Sequence, residues 1–410
     1  MKFGGTSVAD PEKILRAAGR AAAERRRGRR VVVVVSAPGE MTDELIALSR
    51  RVDEDPDPRE LDALLAVGEQ MSIALFAMAC RRLGFPAVSL TGPQAGIRAD
   101  ERHTRSRILE IRPERVLREL ALGKIVVVAG FQGEDPKAEV TTLGRGGSDL
   151  SAVALAAVLR AGRCEIFTDV KGVYTADPRI VPDARKLARV SFDEMLELAD
   201  SGAQVLQARS IDVARRYGVR IHVRSSFQNV PGTWIEPARE DPMEDAVVVS
   251  LALDKGDVRL TVVGVPDRPG VAARVLTELA ARDVPADMVV QSAPTHAGVN
   301  DISLMTPRAG AAAAKAALEA VARRIGAERV DVHDGVAKIA IVGTGFRRHA
   351  EIAARMFGTL ADAGVNIQMI SASDLKICAV VDGRHAETAL RALHKAFGLA
   401  RAKRGKRRSR

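Results

Sequence analysis

Two glycine-rich segments of this chain combine a flexible backbone with hydroxyl groups and one positive charge. The first is Lys2–Ser7 (KFGGTS) at the start of the sequence, and the second is Thr141–Asp149 (TTLGRGGSD) in its middle. Glycine lets backbone N–H groups approach phosphate oxygens, and Lys2 can offset the charge that builds up during phosphoryl transfer. Neither segment is a P-loop, because the pattern G-x-x-x-x-G-K-[ST] does not occur. The combination of the two segments predicts phosphoryl transfer.

Arg145 in the second segment is suited to recognise a carboxylate. A guanidinium held in a glycine loop can bind a carboxylate in bidentate fashion. The residues G-R-G-G-S-D begin like a dinucleotide fingerprint, but Asp149 stands where the third glycine should be. Ser148 or Asp149 can also simply cap the helix that follows. That capping interpretation does not require Arg145.

Three more polar residues stand near the end of a strand or within a helix. Ser36 follows a buried valine strand and Thr42 opens a helix, which is also typical of an ordinary turn with an N-cap. Glu69 lies in a helical stretch, where a glutamate is usually a solvated surface residue. Gly68 before it and the apolar run 71–79 after it are compatible with partial burial of Glu69.

The segment 168–179 (TDVKGVYTADPR) follows a predicted strand and is dense in turn formers and hydroxyls. A hairpin accounts for this composition, and so does a loop at the edge of a nucleotide, with Arg179 near phosphate and Asp169 or Asp177 near ribose. The chain has no zinc-ligand spacing, no G-x-S-x-G elbow and no kinase His-Arg-Asp motif. Its seven histidines are scattered, so we expect no protein metal centre and no histidine-based acid–base catalysis.

These residues are placed by a predicted α/β domain in the first 225 residues. Continuous Val/Ile runs joined by helices are typical of a largely parallel sheet covered on both faces, and ligands gather at the carboxyl ends of its strands. The predicted strands are Val31–Val35, Ala87–Leu90, Lys124–Ala129, Cys164–Thr168 and Arg220–Arg224, and the predicted helices are 11–26, 41–52, 59–83, 149–161 and 202–217.

The C-terminal part of the chain contains two segments that resemble each other at low resolution. A stretch rich in Pro, Gly, Asn and acidic residues at 229–245 is predicted as a linker. Beyond it, residues 257–330 and 336–399 each show a βαββ or βαββα pattern. Each segment has the size of a small ferredoxin-like module. Such a repeat is more often regulatory or dimerising than catalytic, because it offers no acid–base cluster.

Bulk properties limit the remaining classes. A length of 410 residues predicts two or three domains, and three distant cysteines indicate reduced core residues in a cytoplasmic protein. We expect no transmembrane helix, since no apolar run reaches about 18 residues, and no signal peptide. The net charge of +10 falls to +3 without the last ten residues. We therefore expect 400–410 to be a basic disordered tail, with weak polyanion binding as the alternative.

Taken together, these segments closely resemble the aspartate kinases of the amino-acid kinase family. The C-terminal repeat is similar to the paired ACT domains of that family, in which the first is inserted within the second, so that the strand 246–251 goes with 336–399. The shared motifs occur in family order at 2–7, 36–37, 68–69, 130–133, 141–149, 168–179, 191–195 and 223–226.

The resemblance implies a mostly parallel sheet sandwiched by helices in a kinase domain at 1–228, followed by two βαββαβ ACT domains. It implies ATP- and Mg²⁺-dependent phosphorylation of the side-chain carboxylate of L-aspartate to 4-phospho-L-aspartate, the first step toward lysine, threonine and methionine. A carboxylate is already a nucleophile at neutral pH, so no general base is needed. Feedback by lysine and/or threonine and a homo-oligomer formed through the ACT domains are also implied, with no membrane and no specific nucleic acid as partner.

The resemblance also assigns roles to residues. Arg145 would bind the α-carboxylate of the substrate and Glu69 its α-amino group, while Asp149 organises the centre and Lys2 neutralises charge. The remaining assignments are Ser36, Thr42 and Ser148 for the aspartate site; Lys2, Phe3, Gly4, Gly5, Thr6, Ser7, Thr168, Asp169, Tyr174, Asp177, Arg179 and Gln204 for ATP; and Asp267, Pro269, Gly270, Val271, Ala272, Gln291, Asn366 and Ile367 for the effectors.

Three departures from the family pattern stand out. The sequence opens directly on the glycine loop, so the apolar strand that leads into it is nearly absent; we expect a poorly anchored Lys2 and a misplaced start site. Gln204 stands where the family usually has a lysine near the ATP phosphates. Pro285 replaces the usual asparagine of the first ACT module, which argues against threonine-type feedback there. Pro38 and Met41 are milder changes.

Two other functions fit parts of the pattern. One is a related carboxylate kinase that accepts glutamate or acetylglutamate, although Arg145 with Glu69 favours a free α-amino acid. The other is an amino-acid sensor whose kinase domain has lost its activity. The short N-terminus and Gln204 motivate this hypothesis. The sequence does not determine which end product inhibits, whether inhibition is concerted, or the oligomeric state.

Overall fold

The computed structural model describes residues 1–203, 205–238, 247–294 and 298–400. The chain divides into two compact units. Met1–Val173, Lys186–Ala199 and Gln204–Asp241 form the first, and Tyr174–Arg185, Asp200–Ala203 and Pro242–Arg410 form the second. The predicted basic tail, apart from Ala400, lies outside the described residues.

The first unit is built on an eight-stranded sheet in the order β10-β12-β11-β9-β1-β2-β6-β3. All neighbouring strands run parallel except β11 and β12. The valine-rich strands are buried, as expected for a sheet covered on both faces. The strands are β1 (Lys2–Phe3), β2 (Val32–Val35), β3 (Ala87–Leu90), β6 (Ile125–Ala129), β9 (Cys164–Thr168), β10 (Arg189–Ser191), β11 (Ile221–Ser225) and β12 (Thr233–Glu236).

A second, four-stranded sheet in this unit has the order β5-β4-β7-β8. Its strands are β4 (Ile97–Ala99), β5 (Ile108–Ile111), β7 (Gln132–Glu134) and β8 (Val140–Thr142). Because β8 ends at Thr142, this small sheet delivers the chain directly into the glycine loop around Arg145. The sequence patterns had left these short strands unassigned.

Seven helices accompany these two sheets along the described chain. Asp10 caps α1 by accepting a hydrogen bond from the backbone N–H of Lys13, and Asp57 caps α3 in the same way from Arg59 and Glu60. They are α1 (Pro11–Arg26), α2 (Met41–Val52), α3 (Pro58–Arg82), α4 (Glu114–Ala121), α5 (Gly147–Val158), α6 (Phe192–Asp200) and α7 (Ala208–Tyr217). α3 is long and apolar enough to cross a bilayer. However, 56% of its most apolar 18-residue stretch is buried inside the protein, as in the core helix of a globular domain.

The short N-terminal strand is retained, against the expectation that its loss would remove a strand and leave Lys2 poorly anchored. β1 lies in the middle of the sheet, where Lys2 pairs with Val34 on one side and with Ile166 on the other. The Met1 amine donates a hydrogen bond of 2.8 Å to the carbonyl of Val32. Phe3 stacks on Phe167 with ring centroids 4.7 Å apart. Pairing on both sides therefore compensates for the two-residue length.

Three predicted boundaries differ from the structure. The predicted helix 149–161 is α5, which begins at Gly147 and ends at Val158, since Gly146 adopts the left-handed conformation that starts it. The predicted helix 202–217 begins only at Ala208, because the chain before it is irregular where described. The predicted linker 229–245 contains β12, which pairs with β11 and β10 in the main sheet.

The second unit contains two four-stranded sheets with ferredoxin-like connections. One has the order β15-β16-β14-β17 and the other β13-β18-β20-β19, so the strand that precedes the first module completes the sheet of the second. The elements are β13 (Val247–Asp254), β14 (Asp257–Pro266), α8 (Val271–Ala280), β15 (Asp287–Gln291), β16 (Val299–Pro307), α9 (Ala311–Ile325), β17 (Arg329–His333), β18 (Val336–Thr344), α10 (Ala350–Asp362), β19 (Ile367–Ala372), β20 (Lys376–Asp382) and α11 (Ala386–Ala396).

A buried lysine links the two sheets of the second unit. Lys338 on β18 is 4% exposed, and its Nζ lies 2.8 Å from Asp287 Oδ2, 3.2 Å from Asp257 Oδ2 and 3.9 Å from Asp254 Oδ2. Burial opposes the charged amine, but the hydrogen bond to Asp287 and the charges of Asp257 and Asp254 raise the pKa of Lys338 above its usual range. One cation thus neutralises carboxylates from both modules.

We expect Lys338→Met to lower the free energy of unfolding of the full chain by about 3 kcal/mol at pH 7, because it leaves partly buried carboxylates unpaired. Urea denaturation measures this loss, which should shrink below pH 4 as the carboxylates become protonated. Lys315→Met is the control, since Lys315 is an exposed lysine on α9 paired at 3.7 Å with Glu319, and we expect it to cost less than about 0.5 kcal/mol. Equal losses in the two variants would contradict this role of Lys338.

Candidate active site

The parallel strands bring four loops to one edge of the main sheet. β9, β1, β2 and β6 are adjacent and parallel, so their carboxyl ends lie side by side. The segments that follow them are Gly4–Ser7 after β1, Ser36–Ala37 after β2, Gly130–Phe131 after β6 and Asp169 after β9. This edge is where ligands bind in parallel α/β sheets, and it contains most of the residues predicted for the site.

Lys2 and Asp149 form the ionic centre of this edge. Lys2 Nζ lies 2.7 Å from Asp149 Oδ1, and the two side chains are 12% and 11% exposed. Asp149 stands in the first turn of α5, whose N-terminal N–H groups favour negative charge. The pair therefore fixes a cation beside a helix N-terminus, an arrangement that suits a phosphate group.

Glu69 is a buried carboxylate of which only one oxygen accepts a hydrogen bond from the described residues. It is 2% exposed, and its Oε1 accepts a hydrogen bond of 2.8 Å from the backbone N–H of Ala37. Its Oε2 is buried and has no hydrogen-bond partner among the described residues. Gly68 permits this approach, because a Cβ at Gly68 would lie 2.6 Å from the Cβ of Ala37. Of the two alternatives for Glu69, a solvated surface residue or a partly buried one, the first is wrong, because the side chain is buried.

The environment of Glu69 shifts its protonation. Burial raises its pKa to about 7, although the Ala37 N–H and the charge of Lys2 favour the ionised form. At neutral pH the side chain is therefore close to half ionised, and a bound ammonium group would favour its charged form. The unused oxygen is well suited to accept a hydrogen bond from such a group.

The other predicted acceptor-site residues lie on the elements that border this edge. Ser36 follows β2, and its N–H donates to the carbonyl of Phe3 at 3.2 Å. Thr42 lies in the first turn of α2, and Ser148 is buried in the first turn of α5. Arg145 is exposed on the loop between β8 and α5. The role of each in binding a substrate stays a prediction.

The predicted nucleotide residues are distributed over both units. Phe3–Ser7 and Thr168–Asp169 lie at the sheet edge, where Ser7 Oγ hydrogen-bonds Ser226 Oγ and Thr168 Oγ1 donates to Asp169 Oδ1 at 2.9 Å. Tyr174, Asp177 and Arg179 belong to Tyr174–Arg185, which groups with the second unit. Tyr174 packs against the apolar core of that unit, and Asp177 accepts hydrogen bonds from Arg179. Gln204 lies outside the described residues.

The predicted effector residues all lie in the second unit. Pro269 and Gly270 lead into α8, which begins with Val271 and Ala272, and Asp267 Oδ1 accepts a hydrogen bond of 3.3 Å from Asn300 Nδ2. The others are Gln291 at the end of β15, exposed Asn366, and Ile367 at the start of β19.

Sequence reasoning missed two residues that contact the loop around Arg145. Asp62 is fully buried on α3, and Arg209 on α7 donates to the carbonyl of Leu143 at 2.7 Å. The sequence signal for Asp62 was an aspartate within a long apolar helix. A charged residue is rarely buried without partners, so such an aspartate indicates a buried hydrogen-bond network. In the described part of the chain, no group of three or more His, Cys, Asp or Glu residues could hold a metal ion.

Comparison with known proteins gives a consistent picture. The sequence profile of the amino acid kinase family matches residues 1–225, and that of an ACT domain matches residues 339–397. The chain is 48% identical over 402 residues to an aspartokinase of Mycolicibacterium smegmatis, covering 97% of this chain and 95% of that protein.

Solved structures agree over the same length. E. coli aspartokinase III in complex with aspartate and ADP is 28% identical, with a TM-score of 0.82 over 96% of this chain and 98% of that one. The same enzyme in complex with lysine and aspartate gives a TM-score of 0.74 over 97% of this chain and 98% of that one.

We expect the kcat/KM for an amino-acid substrate bound through its ammonium group to fall about tenfold for each pH unit below about 7, because protonated Glu69 cannot pair with it. Initial rates between pH 5.5 and 8.5 measure this slope. Glu69→Gln should remove the slope and lower kcat/KM at pH 8, whereas Glu44→Gln on the exposed face of α2 should change neither.

The same Glu69→Gln variant should be more stable than the parent by about 3 kcal/mol at pH 8, because ionising a group with a pKa of about 7 costs the folded state this much relative to an ordinary glutamate. The gain should disappear below pH 4.5, where the carboxyl is protonated in both folded and unfolded states. A variant with unchanged stability at pH 8 and an intact pH slope would contradict this description of Glu69.

Proposed function

The chain belongs to the aspartokinases, members of the amino-acid kinase family that carry ACT domains, and we propose that its first unit transfers the γ-phosphoryl group of ATP to the side-chain carboxylate of L-aspartate. The products are 4-phospho-L-aspartate and ADP. The observation that carries this proposal is the Lys2–Asp149 pair at the start of α5, bordered by the segment of buried Glu69 and the loop of exposed Arg145.

Acceptor recognition follows from three charges of L-aspartate. Arg145 is exposed on a glycine loop and pairs with the α-carboxylate in bidentate geometry. Glu69 offers its unpartnered buried oxygen to the α-ammonium group. Ser36, Thr42 and Ser148 supply hydroxyl groups around the same edge. The side-chain carboxylate, held by neither charge, is left to attack phosphorus.

Transfer itself needs positioning and charge neutralisation more than proton movement. The attacking carboxylate is ionised at neutral pH, so no general base is required. The N–H groups of Gly5 and Thr6 are the proposed phosphate donors of the first glycine loop, because those of Gly4 and Ser7 already donate to the carbonyls of Phe167 and Gly4. Lys2 offsets the negative charge that develops on the transferred group. Asp149 holds Lys2 in place and prevents its free rotation.

Nucleotide binding draws on the loops after β1 and β9, with Thr168 and Asp169 at the latter. Tyr174, Asp177, Arg179 and Gln204 stay proposed contributors. Mg²⁺ in nucleotide sites is bound by one or two carboxylates together with phosphate oxygens and water. When bound with ATP, the ion neutralises charge on the phosphates.

The sequence alternatives are not favoured by the geometry. An acetylated amino group carries no positive charge, so it would leave the buried oxygen of Glu69 without a cationic partner. A decayed kinase domain was suggested by the short N-terminus, but Lys2 is fixed by strand pairing on two sides and by Asp149. Free glutamate carries the same α-ammonium and α-carboxylate groups as aspartate, and the similarity to aspartokinases is what favours L-aspartate over it. We therefore prefer a working kinase with free L-aspartate as acceptor.

Regulation belongs to the second unit in this proposal. E. coli aspartokinase III has been solved with lysine bound, and its structure matches this chain over nearly its whole length. We propose that lysine and/or threonine bind at the ACT pair, around Asp267–Ala272 with Gln291 and around Asn366–Ile367, and that copies of the chain assemble through these domains. Feedback by pathway products is the expected consequence.

The activity test is hydroxylamine trapping of the acyl phosphate formed from ATP, Mg²⁺ and L-aspartate. We expect Arg145→Met to raise the KM for aspartate about 100-fold, the value of one lost charge-assisted bidentate contact, with the KM for ATP unchanged. Arg145→Lys should cost about tenfold, because lysine keeps the charge but not the fork.

Arg118→Met, which removes an exposed arginine from α4, is the matched control and should leave both KM values unchanged. A wild-type protein that folds but gives no trapped hydroxamate would reject the proposed reaction. A preference for N-acetylglutamate over aspartate would reverse the choice of acceptor.

We expect lysine to inhibit the wild-type enzyme at a lower concentration than threonine. Pro285 stands where the family has an asparagine, and proline offers neither a side-chain amide nor a backbone N–H to an effector, while its carbonyl already accepts a hydrogen bond of 2.8 Å from Thr306. Half-inhibition concentrations for lysine, threonine and both together measure this order. Pro285→Asn should increase threonine sensitivity and leave basal activity intact; equal inhibition of wild type by both amino acids would contradict the prediction.

A further inference from the structure

The loop that carries Arg145 needs a rigid support, because an exposed guanidinium recognises a carboxylate only if its own backbone is fixed. The loop runs from Thr142 at the end of β8 to Gly147 at the start of α5. Displacement of a substrate-binding group by about 1 Å can cost on the order of 100-fold in rate. The residues beneath the loop can therefore influence recognition through Arg145.

Asp62 on α3 lies beneath this loop with all of its surface buried. Thr142 Oγ1 donates to Asp62 Oδ1 at 2.5 Å, and the backbone N–H of Thr104 donates to Asp62 Oδ2 at 2.9 Å. His103 Nδ1 lies 2.9 Å from the same Oδ2. One buried carboxylate thus joins a core helix, the last residue of β8 and the 103–104 segment.

The 103–104 segment in turn contacts the loop. Thr104 has a φ of +67°, which is unfavourable for a threonine, so its conformation must be imposed by its surroundings. A Cβ at Gly144 would lie 3.1 Å from the carbonyl oxygen of Thr104, so the two backbones are nearly in contact. By holding Thr104, Asp62 also fixes the surface on which Gly144 rests.

A second support holds the loop from the side of α7. Arg209 donates to the carbonyl of Leu143 at 2.7 Å and to that of Ser106 at 3.0 Å. The side chain of Gln207 fills the space beside Gly146, where a Cβ would lie 1.7 Å from Gln207 Cγ. Because these contacts do not involve Asp62, the loop should keep its course when Asp62 is changed.

From these contacts we propose that Asp62 is a positioning residue for acceptor binding, acting through Thr142 and Thr104 on the backbone that carries Arg145. This inference rests on the proposed function, in which Arg145 binds the α-carboxylate of L-aspartate. Asp62 itself touches no substrate. Its carboxylate accepts hydrogen bonds that an asparagine cannot all accept, since an asparagine has only one acceptor oxygen.

The experiment compares Asp62→Asn, Thr142→Val and the double variant in the full-length chain. Each single variant should raise the KM for aspartate about tenfold, with the KM for ATP within about twofold and kcat within about threefold of wild type. The double variant should fall well short of the product of the two single effects, because Asp62 and Thr142 share a hydrogen bond and their effects are not independent. Ile73→Val, a buried change on α3 away from the loop, controls for a general loss of stability.

Hydrogen–deuterium exchange of residues 142–147 gives a readout that does not depend on turnover. Asp62→Asn should speed exchange of this segment and leave that of β1 and β2 unchanged. An unmoved KM for aspartate together with unchanged exchange would overturn the proposal, and so would parallel changes in both KM values that Ile73→Val reproduces. A wild-type protein without kinase activity would refute the proposed function, while the exchange result would still decide whether Asp62 holds the loop.

Discussion

The structure of the first unit depends on the pairing of a two-residue strand in the centre of its sheet. β1 hydrogen-bonds with β2 on one side and β9 on the other, and this double pairing fixes the backbone on both sides of Lys2. Its amine then reaches Asp149 at 2.7 Å, at the N-terminus of α5. Because the glycine loop follows directly at Gly4, one short strand determines both where the cation lies and where that loop begins.

Burial of Glu69 at this edge of the sheet costs the folded state stability. Glu69 keeps one unpartnered oxygen in an apolar environment, a costly arrangement for folding that raises its pKa to about 7. The same desolvation would strengthen its interaction with the ammonium group of the proposed substrate. Asp62 is a buried carboxylate of the opposite kind. Both of its oxygens are within hydrogen-bond distance of protein groups, namely Thr142 Oγ1, the N–H of Thr104 and His103 Nδ1. Glu69 thus keeps one oxygen without a hydrogen-bond partner among the described residues, whereas both oxygens of Asp62 have partners.

The second unit uses charge in a third way. Lys338 neutralises carboxylates from both ferredoxin-like modules, and β13 completes the sheet of the second module although the first module follows it in the chain. The two modules therefore share both a strand connection and an ion network. A regulatory pair that must respond as a unit benefits from this physical coupling.

The sequence by itself determined the α/β class, the two repeated modules and the motifs at the sheet edge, because continuous valine runs and glycine loops are local signals. It misjudged β1, since two residues carry no periodicity and their place in the sheet comes from partners far along the chain. It also missed β12, Asp62 and Arg209, and it could not decide whether Glu69 was solvated or buried. Those features were decided only by tertiary structure, because hydrogen-bond partners and burial depend on which segments meet in space.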